Sequence, residues 1–339
     1  MGGKISTVAV LPIENLSGAA MPTDAVRQAV AGAIRSAGVR VLDSGTLDTF
    51  MVRHRVRYAA GIDSDTARLL KQEADVDGVL VASVELSRAS SSPKVALIAR
   101  LVWTGDTPTV AWADDAGLAA NDAPGLFGLG VVNDYRVLLT RATDRLCGSL
   151  STYLRTGDVA AARRAESRFR PKASHRDLTL ERGRTYSVAV VPFFNLSERR
   201  TAGEILELLF MRHLASLPQF RVVDAGDVRR ELLDNRVIME SGLSLSDAEA
   251  IAAPIAADFV LTGRVIHYQD YDGPVGTTRV EFSTVLIDKS RRKVVWSSES
   301  YNDGTDGEGL FGRGVSRTAH AMATQMVRIA AGMMAGSER

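Results

Sequence analysis

The chain has 339 residues, 45% of them hydrophobic and 24% charged, which is the profile of an ordinary globular protein of about two domains. With 41 Lys+Arg against 40 Asp+Glu the net charge is +1, so no long-range field favours nucleic acid or an acidic partner. No stretch reaches the ~20 apolar residues of a membrane helix, and a lone cysteine, Cys147, excludes an internal disulfide or a cysteine-built zinc site.

Met1-Gly2-Gly3-Lys4 leads straight into a strand pattern with no basic-then-apolar leader. That start is expected of a mature chain whose leader is absent and equally of a cytoplasmic one. Ser6 to Leu11 alternates and is β-branched until Pro12 and Asn15 break it, which predicts a strand and an exit loop. Thr23 to Ala37 spaces Val26, Val30 and Ile34 as a helix does, and Gly38 stops it. Val39 to Leu42 is a short strand, Asp43-Ser44-Gly45 opens a helical turn, and Ser64 to Ala74 is a short helix. Val79 to Leu86, Val95 to Trp103 and Thr109 to Ala113 form a strand meander. A long amphipathic helix, about Val131 to Leu154, follows.

The same order then recurs. Val8-Ala9-Val10-Leu11-Pro12-Ile13-Glu14-Asn15-Leu16-Ser17 matches Val188 to Ser197 at seven of ten positions. Arg40-Val41-Leu42-Asp43 recurs as Arg221-Val222-Val223-Asp224, with Gly45 matching Gly226 and Gly61 matching Gly242. Trp112 recurs as Trp296, and Gly125 to Val131 as Gly309 to Val315 at six of seven positions. The second copy runs through strands at Val260 to His267, Arg279 to Ile287 and Val294 to Ser300, and a helix from Gly314. The fold class is therefore α/β (α+β): two tandem repeats, each a mixed β-sheet with helices packed on it and a long C-terminal helix. Residues 1–155 form repeat one and 186–339 repeat two. Residues 156–185 carry eight basic and four acidic residues. They read as a helix extension ended by Pro171 and then a solvated linker. The duplication allows either an intramolecular pseudo-dimer or two beads on a linker.

Few residues carry chemistry. The five histidines (His54, His175, His213, His267, His320) are scattered, none recurs between repeats, and no metal-ligand or Ser-His-Asp spacing occurs. No catalytic, cofactor or metal residue is assigned. Cys147 has no identifiable activating base and is expected to be a small buried hydrophobe. Asp43 and Asp224 are expected to cap the helices after them, and Asn15 and Asn195 to turn the chain. The acidic run Asn302 to Glu308 lacks calcium-loop spacing and is expected to be a solvated loop. The candidate partner surfaces are Leu126-Phe127 and Leu310-Phe311 in the Gly-rich segments, and the basic run Arg53, Arg55 and Arg57. A solvated basic patch and a packed Gly-rich turn are the plainer readings of the same residues.

"VAVLPIENLSG", "VRVLDSGTLD" and "ADVDGVLVASVE", with the Trp-ending strand and the Gly-rich turn before the last helix, together resemble a known group. It is the α/β unit shared by the curli-secretion lipoprotein CsgG, the penicillin-binding-protein activator LpoB and the amino-terminal domain of TolB. Val188 to Asn195, Arg221 to Asp224 and Ala257 to Gly263 carry the motifs most clearly. The resemblance covers nearly all of both repeats. It implies a bacterial envelope setting, outer-membrane associated and often lipidated. No cysteine precedes the first strand, so lipidation does not carry over. The pore of CsgG does not carry over either, because Ser87 to Lys94 and Gly105 to Pro108 are too short for membrane hairpins and Gln269 to Thr277 is polar. The resemblance implies a non-enzymatic periplasmic module of a secretion, motility or cell-wall complex that binds envelope proteins or itself, with no cofactor, no nucleic acid and at most a peripheral membrane contact. The alternative is a small-ligand-binding protein or enzyme using a cleft between the repeats. A nucleic-acid reading is weakened by the near-zero charge and 6% aromatics.

Overall fold

The computed structural model describes residues 5–57, 60–120, 131–159, 167–237, 242–271, 277–306 and 316–337. Repeat one runs β1 (Thr7–Val10), β2 (Glu14–Asn15), α1 (Thr23–Ser36), β3 (Arg40–Val41), α2 (Ser44–Arg53), α3 (Ser64–Ala74), β4 (Gly78–Arg88), β5 (Lys94–Trp103), β6 (Thr109–Ala119) and α4 (Tyr135–Thr156). Next come a single 3-10 turn at 167–169 and β7 (Ala173–Arg176). Repeat two follows as β8 (Tyr186–Val190), β9 (Phe194–Asn195), α5 (Ala202–Ala215), β10 (Phe220–Val222), α6 (Ala225–Asp234), α7 (Leu245–Ala252), β11 (Phe259–Gln269), β12 (Arg279–Asp288), β13 (Lys293–Asp303) and α8 (Ala319–Ala335).

The two sheets have the same strand order, β3-β1-β4-β5-β6 and β10-β8-β11-β12-β13, parallel through the first three strands and antiparallel beyond. Their irregularities also coincide. Register shifts fall between Val84 and Leu86 in one copy and Val265 and His267 in the other. A second pair falls between Leu101 and Val102 and between Leu286 and Ile287. Bulges are specified features of a strand pair, so matching bulges mark one fold used twice. The exit turns match as well: Asn15 Oδ1 accepts from Ser17 N at 3.1 Å, and Asn195 Oδ1 from Ser197 N at 3.0 Å.

Three expectations are corrected. First, α4 stops at Thr156, where Gly157 takes the left-handed conformation (φ +76°) and donates to Tyr153 O, so the helix does not continue through 157–159; the rest of the expected extension, 160–166, lies outside the described residues. Second, part of the connector is not solvated linker. β7 pairs antiparallel with β13 and becomes the outer strand of the second sheet, anchored by buried Phe169 and Leu178. Third, the acidic run does not begin as a solvated loop. Asn302 is fully buried in β13, and its Nδ2 donates to Arg168 O (3.0 Å) and Asp306 Oδ2 (3.1 Å).

The repeats are not beads. Helices α1 and α4 cover one face of the first sheet, and α5 and α8 cover the equivalent face of the second. The opposite face of β5 and β6 then packs on α5, which lies between the two sheets. Leu16 and Ile98 of repeat one accordingly belong to the core of repeat two. Ile205, Leu206, Leu209 and Phe210 are wholly buried, each contributing roughly 1.5–3 kcal/mol of apolar burial. At one corner the sheets converge through a bridge between Thr109 and Val223, and Asp224 N donates to Pro108 O at 2.9 Å.

Candidate functional site

The densest polar chemistry lies in the seam between the repeats, in two clusters. The first gathers around Asp224. This carboxylate begins as the expected cap of α6, accepting from Gly226 N at 3.2 Å. It also accepts from Ile62 N (2.7 Å) and from Arg100 Nε (2.6 Å), and Arg100 Nη2 reaches Ala60 O (2.5 Å). Asp227, one turn into α6, accepts from Ser64 N and Ser64 Oγ at 2.8 and 2.6 Å, so it caps α3 of the other repeat. Two helix N-termini thus share two carboxylates across the seam. Gly61 and Gly226 make this approach possible: a Cβ on Gly61 would lie 2.6 Å from Gly226 N, and one on Gly226 2.2 Å from the carbonyl carbon of Ile62.

The two capping aspartates give a prediction. Asp43, the copy in repeat one, is exposed and accepts from Thr46 N (3.0 Å) and Thr46 Oγ1 (3.3 Å), both within its own turn. Asp224→Ala is expected to lower stability by about 3–5 kcal/mol, because it removes the buried carboxylate that accepts from Arg100 Nε, Ile62 N and Gly226 N. Asp43→Ala should shift the thermal midpoint only slightly. Equal effects in thermal unfolding would contradict the assignment.

The second cluster centres on His320, at the start of α8. Its Nδ1 bonds Glu85 Oε2 and its Nε2 lies 2.8 Å from Asp115 Oδ2. Tyr268 Oη donates to Glu85, and Arg212 sits 2.7 Å from Asp114 Oδ1 and 2.5 Å from Asp115 Oδ1. His320, Glu85 and Asp115 are all buried. Burial opposes the charged imidazole, but attraction to Glu85 and hydrogen bonds to both carboxylates outweigh it, and the pKa of His320 is pushed up to about 10. Asp115 is held far below the ordinary carboxylate range: burial opposes this, and Arg212 and then His320 overcome it. Neighbouring His213 goes the other way. Burial and then Arg212 push its pKa well below the usual value, so it stays neutral. Gly117 faces the imidazole, and a Cβ there would lie 2.4 Å from His320 Cδ2. A doubly protonated ring with both nitrogens on carboxylates has no lone pair for a metal or for proton abstraction. The Glu85–His320–Asp115 array is a charge-paired lock with no nucleophile at its centre.

A third, acidic group lines the same seam. Burial pushes the Glu207 carboxyl on α5 well above its ordinary pKa; Arg100 opposes this, while Glu204, Asp224 and Glu14 add to it. Glu14 and Glu204 are raised by burial as well.

Of the residues singled out from sequence, Leu126, Phe127, Leu310 and Phe311 lie outside the described residues. Arg53 closes α2 and pairs with Glu73 at 3.1 Å; Arg55, with φ +55°, and Arg57 follow it on the exposed surface. None of the three enters the seam. Cys147 is half-buried in α4, and burial, then Asp144, push its thiol up to about 11. It should react with a disulfide reagent at pH 8 far more slowly in the folded chain than in denaturant; equal rates would contradict that burial.

Sequence reading missed Arg100, Glu85, Asp115, Glu207, Arg212 and His320 as a set, because their partners lie across the seam. One signal was present. Ala202–Ala215 is apolar almost all round, whereas Thr23–Ser36 keeps Asp24, Gln28 and Arg35 on an exposed side. A helix apolar on every side is buried on every side.

No protein-family model matches the chain, and no curated protein matches it. Among solved structures the chain is similar to the PelC dodecamer from Paraburkholderia phytofirmans, at 22% identity over 49% of this chain and 96% of that one, with a TM-score of 0.34. It is also similar to the lipoprotein GNA1162 from Neisseria meningitidis, at 20% identity over 43% and 99%, TM-score 0.31. A third is the LpoB C-terminal domain from Salmonella enterica, at 16% identity over 36% and 86%, TM-score 0.27. Among the described residues, no helix is long and apolar enough to cross a membrane.

Proposed function

We propose that the protein is a non-catalytic interaction module of the bacterial cell envelope, two α/β units fused into one body that presents fixed surfaces to other envelope proteins. The observation that carries this reading is where the buried ionisable groups are directed. Arg100, Asp224, Glu85, His320, Asp115 and Arg212 bond to one another across the seam, which spends their chemistry on holding the units together. The envelope setting rests on the duplicated "VAV.P...NLS" strand and exit loop and on the motifs that accompany it. Fusing the units fixes the spacing of their outer surfaces, which raises the effective concentration of a second contact once the first has formed. The Gly-rich segments with Leu126-Phe127 and Leu310-Phe311, and the exposed Arg53, Arg55 and Arg57, are the surfaces assigned to partners.

The test uses the full native gene product in its own cells, with a photo-crosslinking residue placed at position 55, 57, 127 or 311. The protein is expected in the envelope fraction, with crosslinks to envelope proteins from at least one of these positions. Recovery in the cytosolic fraction would overturn the reading.

A further inference from the structure

At the corner where the sheets converge, an open groove of about 950 Å³ runs between the repeats. One wall is the β5–β6 hairpin with Trp103, another the last turn of α4 with Tyr153 and Arg155. The start of β4 with Asp77 and the end of α3 with Lys71 form the floor, and Arg221 of repeat two closes it from β10.

The charge of this groove is uneven. Asp77 is occupied: it accepts from Lys71 Nζ (2.6 Å), from the backbone N–H groups of Ser6 (2.9 Å) and Thr7 (3.0 Å) and from the Ser6 hydroxyl. Arg155 and Arg221 are exposed, and neither makes an ion pair or side-chain hydrogen bond to a described residue. Among the described residues the groove therefore offers two guanidinium forks with no partner, on a lining that is cationic overall. Trp103 and Tyr153 are half-buried on the same lining, each packed in part against the core of repeat one.

We propose that this groove binds a segment of a carboxylated saccharide chain, with Arg155 and Arg221 taking carboxylates and Trp103 and Tyr153 packing on sugar rings. Guanidinium forks match the two oxygens of a carboxylate, and an aromatic face packs on the C–H face of a pyranose. An open groove accommodates a length of polymer where a closed cavity would hold a whole small molecule. A peptide that binds by adding a strand is disfavoured, because the edge it would need is already taken here. The start of β6 is already bridged to Val223, and Pro108 O already accepts from Asp224 N. The site is composite, since Arg221 comes from the second repeat, and it stands independently of the envelope reading.

Intrinsic fluorescence can report it. Of the three tryptophans, Trp112 and Trp296 are 1% exposed, so iodide quenching reads Trp103. Hexagalacturonate added to the full chain is expected to protect Trp103 from iodide in a saturable way, whereas maltohexaose, of equal length and uncharged, should not. Arg155→Glu and Arg221→Glu should each weaken the hexagalacturonate midpoint at least tenfold, with the melting temperature unchanged. Trp103→Phe should abolish the signal while calorimetry still detects binding. The proposal is overturned by absence of protection at millimolar hexagalacturonate, by equal or tighter binding of hexaglutamate or maltohexaose, or by unchanged midpoints in both arginine variants.

Discussion

His320→Ala is expected to destabilise the protein by about 3–5 kcal/mol, lowering the melting temperature by about 5–10 °C. The ring is charged, buried, and held by carboxylates from two strands of the other repeat. Removing it leaves Glu85 and Asp115 facing each other without their shared cation, and Arg212 and Tyr268 compensate only in part. If charge is the cause, Glu85→Gln added to His320→Ala should restore part of the loss. If lost packing alone is the cause, the two changes will add without recovery.

The pH dependence has a definite sign. The folded-state pKa of His320, about 10, lies above its ordinary value, so its contribution is fully present below about pH 6.5 and is lost as pH rises towards 10. Glu207 acts in the same direction at lower pH. Its folded-state pKa is raised, so folding favours the protonated carboxyl, and stability falls as pH rises above the ordinary carboxylate value. Neutral His213 opposes both, costing stability as pH falls below its ordinary value. Urea midpoints measured against pH should show a decline between pH 7 and 10 in the wild type and a flatter profile in His320→Ala. Parallel profiles would rule out a charged His320.

Gly226→Ala is the second large effect, expected to cost about 3 kcal/mol, at the upper end of overpacking changes. The added carbon would lie 2.2 Å from the carbonyl carbon of Ile62, which is backbone and cannot rotate away. The seam would have to open, breaking the bonds from Ile62 N and Arg100 to Asp224. Gly45, its copy in repeat one, is the internal control. A Cβ there would approach only Asp43 Oδ2, at 3.2 Å, so Gly45→Ala should be neutral or gain a few tenths of a kcal/mol from helix propensity. Equal melting temperatures for the two variants would show that the close approach at Gly226 is not a constraint.

The contrast between Gly45 and Gly226 shows what was legible in the sequence. The repeats, their strand order and most element positions follow from period and punctuation, because each repeat's local pattern is complete in itself. Ser64–Ala74 and the strand ending at Trp103 lie where apolar spacing puts them. The seam was not legible, because it depends on how duplicated positions differ. Gly117 admits His320, but its register equivalent on β13 is Tyr301; Ala96 beside it corresponds to Glu281. The first sheet thus has small residues where helices of the second repeat arrive, and the second sheet has large and charged ones on the matching face. Matches reveal a duplication, whereas its asymmetric assembly is written in the mismatches. Capping logic identified Asp224 as a helix cap, yet nothing local announces that Arg100, 124 residues away, would bind the same carboxylate.

Small-angle X-ray scattering of the full chain tests the fused arrangement most directly. A single compact body of 339 residues should give a radius of gyration of about 20 Å and a single-peaked distance distribution. A radius above about 25 Å, with two maxima in that distribution, would mean that the repeats move as separate beads and that the seam does not hold them together.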